Sequence, residues 1–118
     1  MARYEHLPIY KKAFDLTLYT ENVVRNFSRF HKYTIGTDLR NLSREVVRLI
    51  VRANSETDKL KSLSRMRDAI EEFKVTARIC KELKAFKNFE TFKYFTEELV
   101  SLSKQSEGWI RSMKGKQF

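Results

Sequence analysis

Apolar residues recur along this chain at alternating steps of three and four over four separate stretches. The first series is Ile9, Ala13, Leu16, Thr20, Val23 and Phe27, and the second is Ile35, Leu39, Leu42, Val46, Leu49 and Ala53. Leu63, Met66, Ile70, Phe73, Ala77 and Cys80 form the third, and Phe92, Phe95, Leu99, Leu102, Ser106, Trp109 and Met113 the fourth. This is the spacing of a helix-packing seam, so four amphipathic helices are predicted. The breaks fall at residues 28–33, 54–57 and 85–88, short enough to force antiparallel neighbours. The expected fold is all-α, an antiparallel up-down-up-down four-helix bundle.

Local signals agree with these boundaries. Pro8 suits a first helical position, Ser55 followed by Asp58 resembles an acidic capping box for the third helix, and Asn88 is an N-cap for the fourth. Residues 1–118 read as one domain, with an N-terminal arm over 1–7 and a frayed tail over 114–118. One cysteine, Cys80, excludes an intrachain disulfide framework and a cysteine-based zinc cluster. The N-terminus lacks an apolar signal core, and no apolar run approaches the roughly 18 residues of a membrane span. A soluble, cytoplasmic protein is the expectation.

Charge changes the picture. The 24 Lys and Arg against 15 Asp and Glu leave +9, which favours an anionic partner. Arg40, Arg44, Arg48 and Arg52 recur every fourth residue of the second helix, with Asp38, Glu45 and Glu56 as the nearby carboxylates in sequence. With the seam near 0°, they fall at about 140°, 180°, 220° and 260°, away from the core. Most of their charge is therefore expected to need a partner. A ladder of this kind is either a solvated face or a set of phosphate contacts, for which the guanidinium fork is well matched. A second basic stripe, Arg67, Lys74, Arg78 and Lys81, flanks the core side of the third helix.

Surplus apolar residues point to self-association. Tyr10, Phe14 and Leu18 make an i, i+4, i+8 stripe opposite the first seam, and Val47 and Val51 border the arginine ladder. A lone bundle has no use for these faces. Phe86, Phe89, Phe92, Tyr94 and Phe95 read as stacking platforms or, more simply, as residues closing a bundle corner, with Tyr94 alone turned outward.

Catalytic signals are missing. There is no Glu-x-x-His pair, no Gly-rich phosphate loop and no Gly-x-Ser-x-Gly motif, and the two histidines, His6 and His31, lie outside the helices. Cys80 closes the third seam and is not marked as a nucleophile. A non-enzyme with no catalytic residues, no metal site and no cofactor is expected.

Leu7-Pro8-Ile9-Tyr10-Lys11, the segment Phe30-His31-Lys32-Tyr33-Thr34-Ile35-Gly36-Thr37-Asp38-Leu39, Arg52-Ala53-Asn54 and Gly108-Trp109-Ile110-Arg111-Ser112 together resemble a known group. These motifs, spread over nearly the whole chain, are similar to those of the accessory variability determinant (Avd) proteins of diversity-generating retroelements. The broader group of small bundles includes the proteins encoded within 23S rRNA intervening sequences. The resemblance implies a basic bundle that assembles as a pentamer, binds RNA or DNA and partners a reverse transcriptase making mutagenised cDNA from template RNA. It brings no catalytic motif. Arg40, Arg44, Arg48, Arg52, Arg67, Lys74, Arg78 and Lys81 are then the expected nucleic-acid contacts, with Tyr10, Phe14, Leu18, Val47 and Val51 at subunit contacts. The alternative is an interaction scaffold of the intervening-sequence type, without a reverse transcriptase and docking an acidic partner.

Overall fold

A computed structural model describes residues 4–115. After a 3-10 turn at Tyr4–His6, the chain forms α1 (Pro8–Arg25), a one-turn α2 (Arg29–Lys32), α3 (Ile35–Ser55), α4 (Lys59–Glu82) and α5 (Phe89–Gly115). The four long helices make an antiparallel bundle measuring 49 × 20 × 20 Å. In it α1 packs on α3 and α5, and α4 packs on α3 and α5. Thus α1 and α4 stand on a diagonal. The turn over residues 26–34, with α2, shares one end of the rod with the turn over residues 83–88.

The first and third seams are buried throughout, from Ile9 to Phe27 and from Leu63 to Cys80. In α5, Phe95, Leu99, Leu102 and Ser106 are buried, while Phe92, Trp109 and Met113 are half-buried against the core. The seam of α3 differs from expectation. Gly36, Ser43 and Ile50 are buried with Leu39, Val46, Leu49 and Ala53, whereas Ile35 and Leu42 are half-buried. The core-facing direction is rotated by about 40° from the apolar series, toward α1. A serine is accepted there because Ser43 Oγ donates to the Arg40 carbonyl at 2.7 Å.

Gly36 explains part of that rotation. A Cβ on it would lie 2.8 Å from the His31 carbonyl oxygen and 2.8 Å from Val24 Cγ1. Only a residue without a side chain lets α3 begin this close to α1 and α2.

The connections correct several boundaries. The first break contains α2, whose N-cap Ser28 accepts from the His31 N–H. The capping box at Ser55 and Asp58 does not form, since neither side chain caps α4 and Ser55 Oγ donates to the Arg52 carbonyl. The connection is held instead at the end of α3, where Lys59 Nζ donates to the carbonyls of Ala53, Asn54 and Glu56. The last carbonyls of α3 attract a cation more strongly than a serine hydroxyl can satisfy them. Asn88 does cap α5, accepting the Thr91 N–H at 2.8 Å. In the expected frayed tail, Lys114 and Gly115 are still helical, and 116–118 lie outside the described residues, as do residues 1–3 of the arm.

Helix α4 ends in a Schellman motif, with Ala85 N–H donating to the Cys80 carbonyl and Lys84 N–H to that of Lys81. The left-handed position is held by Lys84, φ 61°, where glycine is the ordinary choice. A lysine there costs roughly 1 kcal/mol. No described helix is long and apolar enough to cross a membrane.

Candidate nucleic-acid interface

The arginine ladder is not free charge. Arg40 and Arg44 both reach Glu21 of α1, at 3.9 and 3.0 Å, Arg48 pairs with Glu45, and Arg52 lies 3.6 Å from Glu56. Arg48 and Arg52 take the local carboxylates named above, and the expectation that most of this charge needs a partner outside the chain fails at Arg40 and Arg44, where the rotation of α3 is the reason. With the buried face as origin, the arginines stand at about 100°, 140°, 180° and 220°, which brings the first two over α1. Glu21 is their neighbour in space and not in sequence.

The second basic stripe divides. Arg67 makes a two-pronged pair with Glu107 of α5, at 2.7 and 2.9 Å. That bond holds the Glu107 carboxyl below its usual range and raises the Arg67 guanidinium in turn. Lys74, Arg78 and Lys81 instead line one groove of about 350 Å³ between α4 and α5, floored by Phe92, Leu99 and Val100. Lys81 Nζ sits 5.7 Å from the centre of the Phe92 ring, and Lys74 Nζ donates to Ser103 Oγ at 3.1 Å. The groove thus combines cations with an apolar, partly aromatic floor.

This groove opens toward the end of the rod that carries α2. Between Arg25 and Asp38 and between Arg78 and Lys93, eight Lys and Arg residues stand against Asp38, Glu82 and Glu90. Among the described residues, Lys81 with Glu82 at 3.6 Å is the single ion pair these eight make. Arg25, Arg29, Lys32, Arg78, Lys84, Lys87 and Lys93 have none. Exposed aromatic rings accompany them: Phe30 is 73% exposed, Tyr33 66% and Phe89 62%, with Tyr94 half out of the surface. Phe89 was expected to close the corner with Phe86. Phe86 does so, against Phe27, Phe92 and Phe95, and the space it fills leaves Phe89 in solvent.

Burial pushes the Cys80 thiol up to about 12, with the Asp38 charge adding to it, so the thiol stays protonated at neutral pH. Among the described residues, no three His, Cys, Asp or Glu side chains converge as a metal site would need.

The expected subunit contacts are unequal. Phe14 and Leu18 are exposed on the outer face of α1, while Tyr10, Val47 and Val51 are half-buried and Tyr10 and Val47 pack against the core. Thr17 Oγ1 bonds the Ser43 carbonyl at 3.2 Å, a register that sets Phe14 beside Val47 and Tyr10 beside Val51. These five residues form one patch. A second stripe escaped the sequence reading: Val75, Ile79 and Leu83 are exposed on the outer face of α4. Their i, i+4, i+8 spacing was available as the signal.

Compared with known proteins, the chain matches no family model, and no curated protein matches it.

Proposed function

We propose that this protein is a non-catalytic, homo-oligomeric nucleic-acid-binding factor that works beside a reverse transcriptase, supporting mutagenic cDNA synthesis from template RNA. The retroelement setting and its polymerase partner are carried by the resemblance to accessory variability determinant proteins. Nucleic-acid binding is carried by one observation, the end of the rod where unpaired cations stand among exposed rings and continue into the Lys74, Arg78 and Lys81 groove. Cations neutralise phosphates, and rings at the same surface stack unpaired bases with little regard to sequence. Lys84 adds a cation to this end of the rod at a left-handed backbone position that glycine would occupy at lower cost. The ladder takes a lesser part, since a phosphate there must displace a carboxylate already in place.

Salt dependence tests the assignment. Replacing Arg78 and Lys87 with glutamine and Lys84 with glycine should lower the slope of log affinity for single-stranded RNA against log salt by about 2, near 0.7 per lost contact. Lys84→Gly should also stabilise the fold, so weaker binding cannot be ascribed to unfolding. Glutamine at all four ladder arginines should change the slope far less. If the ladder variant loses the slope and the end variant keeps it, the site is misassigned. Absence of RNA binding at low salt, with capture of an acidic protein, would favour the scaffold reading.

Self-association has its own support. The Phe14 and Leu18 face and the Val75, Ile79 and Leu83 stripe lie on diagonal helices, so one copy's first face can meet the next copy's second. Such a heterologous contact closes into a ring when its rotation permits. Light scattering should return a multiple of 14.1 kDa at micromolar concentration. Ile79→Lys should return the single-chain mass; a wild-type monomer would remove self-association from the proposal.

A further inference from the structure

The groove between α4 and α5 has two unlike walls. Lys74, Arg78 and Lys81 all stand on the α4 side, whereas the α5 side is Phe92, Thr96, Leu99 and Val100, and among the described residues no charge lines it from α5. Arg78 has no ion pair among those residues, while Lys74 and Lys81 lie 3.1 and 3.6 Å from Glu71 and Glu82 of their own helix. Val100 is 41% exposed beside the buried Leu99, an apolar side chain held open on the neutral wall. At the tip end Lys81 sits over the Phe92 ring and joins the walls. At the far end Lys74 Nζ bridges to Ser103 Oγ, and two turns beyond it the pair of Arg67 and Glu107 ties the same two helices together.

A single strand carries the same asymmetry, with phosphates along one edge and base faces along the other. Laid in this groove, it meets the cations with its phosphates and the apolar wall with its bases. A duplex presents phosphates on its outside and keeps its base faces stacked within, so it can satisfy the α4 wall alone and leaves Phe92 and Val100 without a base to cover them. From Lys74 to Lys81 the groove runs about 10 Å along α4. That is the span of about three nucleotides at the roughly 3.4 Å spacing of stacked bases. We propose that the groove holds a short unpaired stretch in one orientation, backbone along α4 and bases along α5, and so selects single strands over duplex. Val100 becomes a base-contacting residue, an assignment that rests on the nucleic-acid reading above.

Fluorescence anisotropy with a labelled single-stranded oligo(rU), and with the same strand annealed to oligo(rA), tests it. Wild-type protein should bind the single strand about tenfold more tightly, within the range of one stacked base, although the duplex carries the denser charge. Val100→Ser should weaken single-strand binding about fivefold, leave duplex binding unchanged and keep the salt slope, because apolar cover is lost and no phosphate contact is removed. Arg78→Gln should weaken binding of both and lower the single-strand slope by about 0.7. Circular dichroism should show both variants as helical as wild type, since both side chains are exposed. Equal affinity of wild type for strand and duplex would overturn the oriented strand and leave the nucleic-acid reading standing. So would a Val100→Ser variant that binds the single strand as wild type does, or that weakens strand and duplex alike. No binding of either at low salt would instead bring down the nucleic-acid reading itself.

Discussion

Phe95→Ala is expected to destabilise the protein by about 3 to 5 kcal/mol. The ring is fully buried and holds together the aromatic contacts of three helices, with centroids 5.5 Å from Phe73, 5.8 Å from Phe86 and 5.9 Å from Tyr19. Phe73 and Tyr19 are fixed on α4 and α1 and Phe86 on the turn before α5, so the space left behind cannot collapse readily and the cavity cost is added to the lost transfer energy. Against a total of roughly 5 to 15 kcal/mol for a domain, that is a large share. Thermal unfolding should move down by roughly 10 to 20 °C. Phe89→Ala, six residues earlier on the same helix, should cost far less, about 0.5 kcal/mol, because its ring is mostly in water and touches only Phe92 among the ring contacts of the described residues. Similar losses for the two variants would mean that the corner packs differently from this description.

Gly36→Ala is expected to cost about 1 to 3 kcal/mol, although alanine is the better helix former. The added methyl meets a main-chain oxygen, that of His31, and a buried Val24 methyl, both at 2.8 Å. Neither is a flexible side-chain end, so α2 or the start of α3 has to move. The displaced segment carries Phe30 and Tyr33, and RNA affinity should fall along with stability. Gly108→Ala is the matched comparison, for a Cβ at Gly108 meets nothing within 4 Å. There the gain in helix propensity stands alone, about 0.5 to 1 kcal/mol of added stability. Urea melts of both variants measure the difference, and a neutral or stabilised Gly36→Ala would refute the close approach of α1, α2 and α3.

The proposed surface was partly legible before the structure was known. Lys74, Arg78 and Lys81 share a helix face by spacing alone, and they do line one groove. Arg67 has the same spacing, yet lies about 16 Å along the axis from Arg78 and is held by Glu107. What spacing could not supply was the opposite wall. The Phe92, Leu99 and Val100 floor comes from α5, and its role depends on which side of α4 that helix lies.

Periodicity by itself determined the four long helices, their antiparallel order and most of the buried residues, because burying one apolar stripe per helix is the dominant favourable term and leaves its period in the sequence, while α2 and buried positions such as Val24, Gly36, Ser43 and Ile50 lay outside that pattern. Only the tertiary structure decided which charges remain free. Ion pairing between helices depends on the hand of the bundle and on the rotation of each helix about its axis, and a few small residues such as Gly36 and Ser43 set that rotation through close contact. A turn of about 40° is enough to deliver Glu21 to the arginine ladder. The unneutralised charge then lies at the end of the rod, where the run from Phe86 to Phe95, interleaved with Lys87 and Lys93, showed part of it and the fold adds Arg25, Arg29, Phe30 and Tyr33 from the other turn.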